Sequence, residues 1–246
     1  MKELIIIALL FVNSSSTILQ SSRKVCSAKG NASIQKKYTL YGTSGDPGID
    51  QITTNELLLL QQSFLVYPVF FFYDDYDGKN AKATDEVIRT HGPDGTVIFG
   101  KRLFNSEAIR SWGGTSIPII IAHEYAHIAD FKFGQLAHVS TKKRELFADV
   151  FAGMYIYVRQ SRGWYTDLNA VNDCFKSLAD TDFGSDSHGT ANERIAALEY
   201  GYNYMAQNAL FGVGMRKALD VAENYVDEYV EDFDEEEDVK SVDDDD

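Results

Sequence analysis

The sequence predicts an α+β, mostly helical domain in which a small β-sheet or hairpin precedes the helix bearing its most distinctive motif. Three observations lead there. From Ile117 onward apolar residues recur at helical spacing between polar breaks. Residues 66–73 form a β-branched and aromatic run, and His91-Gly92-Pro93-Asp94-Gly95 supplies turn punctuation between two extended stretches. With 246 residues, 44% hydrophobic and 13% aromatic, the chain has enough apolar material for a sizeable core.

Taken in order, residues 1–16 have the layout of a secretory signal: Met1-Lys2-Glu3, an apolar run over 4–12, then Asn13-Ser14-Ser15-Ser16. That run is far short of the roughly 20 residues a membrane-spanning helix needs. No stable membrane insertion is expected once the signal is removed, and the mature protein is expected to be exported, periplasmic or extracellular. Residues 17–46, rich in Ser, Lys and Gly, read as a flexible lead-in with a short strand near 38–41. The folded body is expected over residues 47–226. Thr53-Thr54-Asn55-Glu56 offers capping residues for a helix over 54–64, followed by the strand 66–73. The cluster Asp74, Asp75, Asp77, Gly78 invites a calcium loop, but that register puts Tyr73 at the first ligand position and Thr84 at the twelfth, so a tight turn is the better account. Extended arms at 86–90 and 96–103 complete the hairpin.

The helices come next. Pro118 suits a first helical turn and Gly134 an exit, giving a helix over 118–133. A second over 142–160 has Ser140 or Thr141 as cap and Gly163 just past its end. Others follow over 167–179, 192–207 and 213–229, with a polar loop at 182–190 between the first two of these. The formal charge of −14 is concentrated at the end, where residues 227–246 hold 13 acids against one lysine and the other 226 residues are nearly neutral. This stretch lacks an apolar stripe and reads as a disordered, solubilising tail, with contact to basic partners or divalent cations as the sharper alternative. A pI near 4.7 and no basic stripe exclude nucleic acid as a partner. Cys26 and Cys174 are the two cysteines; in an exported protein they suggest a single disulfide, with two unpaired thiols as the alternative.

The chemistry concentrates in His123-Glu124-Tyr125-Ala126-His127. Histidines four apart project from one helix face and can bind one zinc ion. Glu124, offset by one residue, sits beside the metal rather than on it, where a carboxylate can take a proton from an attacking water. A catalytic zinc needs a third protein ligand and an open position. Glu145 on the next helix is the candidate, and Asp149, one turn further on, can fix the tautomer of a zinc-bound histidine. Ala148, Ala152 and Gly153 would let this helix approach the metal helix closely. Without the upstream histidines, Glu145 and Asp149 would read as exposed helix surface. His91 and His138 read as surface residues.

The order of HEYAH, ELFADVFAG and SHGTANERIAAL resembles zinc metallopeptidases of the gluzincin type. The middle block resembles bacterial neutral zinc metallopeptidases, and the overall order is similar to the family of the membrane prenyl-protein endopeptidases and their soluble relatives. The resemblance spans residues 80–200. It implies a zincin-like domain with Zn2+ on His123, His127 and Glu145, Glu124 as general base, and Asp149 supporting the site. His188 would stabilise the oxyanion, and Arg194 would hold its loop or pair with an active-site carboxylate. The stretches 80–83 and 95–100 loosely resemble the strand before the metal helix, which could pair with an extended peptide. One departure is Gly189, where the prenyl-peptidase relatives usually carry proline. The expected activity is hydrolysis of a peptide or protein substrate. A non-catalytic metal-binding or protein-interaction module of the same fold, or hydrolysis of a non-peptide amide, are the alternatives.

Overall fold

A computed structural model describes residues 33–76, 78–89, 91–110, 114–136, 139–179, 187–209 and 213–230. The signal-like residues 1–16, the lead-in as far as residue 32 with Cys26, His138, and the acidic stretch 231–246 lie outside the described residues. The order of elements is α1 (Ile34–Lys37), β1 (Leu40–Tyr41), α2 (Pro47–Phe64), β2 (Val69–Tyr73), β3 (Ala81–Thr84), β4 (Thr96–Gly100), α3 (Lys101–Arg110), α4 (Ile117–Phe133), α5 (Thr141–Ser161), α6 (Leu168–Ser177), α7 (Ala191–Asn208) and α8 (Met215–Tyr229). The fold is α+β and mostly helical.

One four-stranded sheet runs β1-β2-β4-β3. β2 and β4 pair in parallel, Val69 opposite Thr96, while β1 and β3 flank them antiparallel. Alternation along β2 divides the apolar residues between two faces. Val69, Phe71 and Tyr73 join Ile34 and Ile98 in a small outer cluster, whereas Phe72 faces the main core with Val97 and Phe99. The metal-motif helix α4 lies in that core, buried at every residue from Ile117 to Asp130. A helix enclosed on all sides has no solvent-facing side, and apart from His123, Glu124, His127 and Asp130 its buried residues are apolar.

α5 packs beside α4, and α7 packs on α5 through reciprocal glycines. A Cβ on Gly153 would stand 2.0 Å from the Leu198 carbonyl oxygen, and one on Gly201 would stand 1.9 Å from that of Val150. Gly153 therefore serves the α5–α7 contact, not the approach of α5 to α4. Across the other side, Phe151 meets Phe64 of α2 edge to face at 5.3 Å between ring centroids.

Several boundaries differ from expectation for physical reasons. α2 begins at Pro47, because Asp46 caps it by accepting from the amides of Gly48 and Ile49, while Thr54 turns its hydroxyl back to the Asp50 carbonyl. The first arm of the hairpin is residues 81–84, not 86–90. Glu86 has left the ladder to accept from the Ser33 hydroxyl and the Ile34 amide, and this fastens α1 to the sheet. The second arm stops at Gly100. Fully buried Asp75 accepts there from the amides of Arg102 and Leu103 and starts α3, a helix the local pattern does not announce. From Ser33 the lead-in already belongs to the fold. At the other end, residues 227–229 are helical in α8 and Val230 is buried.

Candidate metal centre

α4 brings His123 and His127 to one face, with ring centroids 4.7 Å apart and planes crossing at 87°. α5 brings Glu145 against them. The Nε2 atoms of His123 and His127 are 3.1 Å apart. Glu145 Oε2 lies 3.2 Å from His123 Nε2, and its Oε1 lies 3.6 Å from His127 Nε2. Around a tetrahedral zinc with bonds near 2.05 Å, neighbouring ligand atoms are about 3.3 Å apart. The separations lie near that spacing, with the carboxylate turning a different oxygen toward each histidine, and the group can hold a metal ion.

The outer partners set the tautomer. Asp149, fully buried one turn beyond Glu145, receives the Nδ1 hydrogen of His123 at 2.7 Å. The same carboxylate accepts two hydrogen bonds at 2.8 Å from Nε and Nη2 of Arg194, so Asp149 can only accept and His123 Nδ1 must donate. That leaves the Nε2 lone pair of a neutral His123 directed at the trio. Arg194 reaches Asp149 from the first turn of α7, where Thr190 and Glu193 form a capping box, and its guanidinium stacks over Phe175 at 5.1 Å.

Proton affinities in the metal-free chain reflect this crowding. Burial opposes a charge on His123, but the Asp149 and Glu145 carboxylates outweigh it and push the imidazole up to about 10. Burial pushes His127 down to about 3. Burial also opposes ionisation of Glu145, yet the hydrogen bond from His123 and the charges nearby hold it well below the usual carboxylate range. Glu124 is buried beside the ligands without joining them, and that burial, reinforced by Glu145 and opposed by His123, pushes it up to about 7.

These residues open into a cavity of 340 Å³ that is also lined by His188, Arg194 and Lys79. Asn80 and Ala81 at the start of β3, Leu103 of α3, Ile120 of α4, and Phe175, Ser177, Leu178 and Ala179 of α6 and its exit complete the walls. The structure thus brings together all seven residues singled out from the sequence: His123, Glu124, His127, Glu145, Asp149, His188 and Arg194. Arg194 pairs with Asp149. Gly189 after His188 has φ +86°, a left-handed conformation closed to proline with its φ near −65°, so this loop turns differently from a His-Pro loop. Of the two stretches proposed to meet an extended peptide, β4 is interior and paired on both edges, leaving β3 as the outermost strand on the cavity side.

Sequence reasoning missed the apolar walls. Val171, Cys174, Phe175 and Leu178 have the spacing of a buried helix stripe, which announces burial but not what it is buried against. It also missed Lys79. Cys174 is fully buried and carries no site role; burial, with help from Glu107, raises its thiol well above the usual range. His91 is exposed. Among the described residues no helix is long and apolar enough to cross a membrane. No protein-family model, curated protein or solved structure matches the chain.

Proposed function

We propose that this chain is an exported zinc metallopeptidase with a zincin-like fold, cleaving peptide bonds at the cavity beside α4. The observation that carries the reading is the buried group of His123, His127 and Glu145, whose nitrogens and carboxylate oxygens approach one another at 3.1 to 3.6 Å, set in a cavity wall next to a carboxylate outside the group. The gluzincin-like order of the three sequence blocks supports it independently.

Zinc held by His123, His127 and Glu145 would lower the pKa of a water in the remaining position toward neutrality and polarise the scissile carbonyl. Glu124 takes the proton from the attacking water and delivers it to the departing nitrogen. A buried carboxylate beside the group and outside it is placed to move a proton both ways. His188, on the cavity wall, donates to the carbonyl oxygen as negative charge builds there. Asp149 holds His123 in the Nδ1-H tautomer, and Arg194 neutralises Asp149 so that its charge is not left bare in the core.

Metal analysis of the purified chain and its Glu124→Gln variant, with a casein-type assay on both, tests the proposal. Stoichiometric zinc in both proteins is expected, with turnover lower in the variant by about 10³-fold or more. A variant that keeps wild-type turnover, or a wild type with zinc closed off by four protein ligands and no hydrolysis, would instead make the chain a binding module.

A further inference from the structure

We infer that the cavity selects its substrate through a carboxylate received by Lys79, so that acidic peptides are preferred over neutral and basic ones; this rests on the metallopeptidase reading. Among the described residues, one lysine and one arginine line the cavity, and they differ in how far they are committed. Arg194 is used up inside the protein, with Nε and Nη2 on Asp149 and Nη1 on the Leu178 carbonyl at 3.3 Å. Lys79 is exposed, and among the described residues its amino group has no hydrogen-bond or ion-pair partner.

Asp74 and Asp75, shortly before it, are committed elsewhere. Asp74 accepts from the Tyr41 hydroxyl at 2.7 Å and faces Lys101 at 3.4 Å. Asp75 is committed to the first amides of α3. Position is fixed as well. The carbonyl of neighbouring Asn80 accepts from the Gly100 amide at 2.9 Å and the Tyr73 hydroxyl at 3.2 Å, anchoring the chain one residue from Lys79. The cavity therefore has graded charge. Glu124 and Glu145 are buried beside His123 and His127, and Asp149 is matched by Arg194. Leu103, Ile120, Phe175 and Leu178 supply apolar wall, and exposed Lys79 is, among the described lining residues, the cation without an ion-pair partner. A substrate carboxylate arriving there gains a charge-assisted hydrogen bond at a rim shielded on one side by apolar surface, while a basic group meets repulsion.

The carboxylate can be an Asp or Glu side chain or a peptide's own C-terminus, and the test separates the two. Matched quenched peptides carry Glu, Gln or Lys beside the cleavable bond, each as the free acid and the amide. They are assayed with the zinc-loaded chain, Lys79→Met and Lys79→Glu, all with zinc content and circular dichroism checked. The expected result is a preference of about tenfold in kcat/KM for Glu over Gln. It should vanish in Lys79→Met, turn toward Lys in Lys79→Glu, and shrink with added salt. A preference that follows the free terminus instead assigns the carboxylate to the chain end. Equilibrium binding of the same peptides to zinc-loaded Glu124→Gln, read by fluorescence anisotropy, should show the same order. Cleavage without charge preference, or Lys79 variants that scale all peptides alike, overturns the inference and leaves the peptidase reading standing. Acid-selective binding lost in Lys79→Met without cleavage of any peptide overturns the peptidase reading and leaves Lys79 as a recognition residue.

Discussion

Helix α5 carries two buried charge networks a few turns apart, and they are completed in different ways. Near its C-terminal end, Arg159 holds Glu56 of α2 through Nη2 at 2.8 Å and Nε at 3.1 Å on Oε1, and the Tyr155 hydroxyl donates to Oε2 at 2.8 Å. The remaining Arg159 nitrogen donates to the Thr166 hydroxyl and the Tyr165 carbonyl. Each charged atom meets its complement from within the chain, and the pair is neutral. Nearer its N-terminal end, Arg194 balances Asp149, but Glu145 faces the two Nε2 atoms at 3.2 and 3.6 Å and, among the described residues, has no lysine or arginine within ion-pair distance. Buried charge is thus common to both networks, and the convergence of ligand atoms distinguishes the one that could hold a metal ion. The closed network fastens α2 to α5; the open one sits on a cavity.

Exchanging the defects should separate the two most sharply. Glu145→Ala removes a corner of the trio and is expected to abolish stoichiometric zinc and to lower peptide hydrolysis by about 10³-fold or more, measured by metal analysis and the casein-type assay. Glu56→Gln is expected to keep zinc and activity per folded molecule, yet to destabilise the chain by about 3–5 kcal/mol in urea unfolding, because Arg159 stays buried without its counter-charge. Loss of zinc in Glu56→Gln would show that the networks are coupled along α5. Between these extremes lies Asp149→Asn, which can still contact His123 but no longer anchors Arg194 by charge. Zinc affinity should fall about 10–100-fold in competition with a chelator. Retention of full affinity would reduce Asp149 to a packing role.

The two networks also differ in how far the sequence disclosed them. His123, Glu124 and His127 share one helical turn and a fixed spacing, so their common face could be read directly. Glu145 followed from the need for a third ligand on the next helix, supported by the resemblance, and Asp149 from lying one helical turn beyond it. The helices from α4 onward were legible for the same reason, with Pro118, Ser140, Gly134 and Gly163 marking their ends. What escaped depends on partners distant in sequence. Asp75 starts α3 from 27 residues away, Glu86 holds α1 from 53 away, and Glu56 finds Arg159 across 103 residues. Glu56 in particular looked like part of a helix start, Thr53-Thr54-Asn55-Glu56, when it is a buried ion-pair partner in mid-helix. Lys79 was invisible because nothing in the spacing of a turn tells which of its charges is already spent on the fold.

The smallest expected effect sharpens the comparison through protons. In the metal-free chain the open network compensates part of its surplus with a proton on His123, whose affinity is pushed up to about 10 from an ordinary value near 6.5. A group raised on folding contributes stability that is complete below its unfolded value and is lost as pH climbs through the folded one. His127, pushed down to about 3, and Glu124, near 7, have finished titrating by about pH 8, so His123 is the member of the site still changing above it. Metal-free protein should therefore lose up to about 1.4 kcal/mol of stability per pH unit from this source between pH 8 and 10. Zinc displaces the same proton, so its apparent affinity should rise up to about tenfold per unit over that window. Calorimetric titration at pH 8 in two buffers of different ionisation enthalpy should count close to one proton released per zinc bound. A count near zero would mean that His123 is already neutral in the metal-free site, and that Asp149 fixes its tautomer without raising its charge.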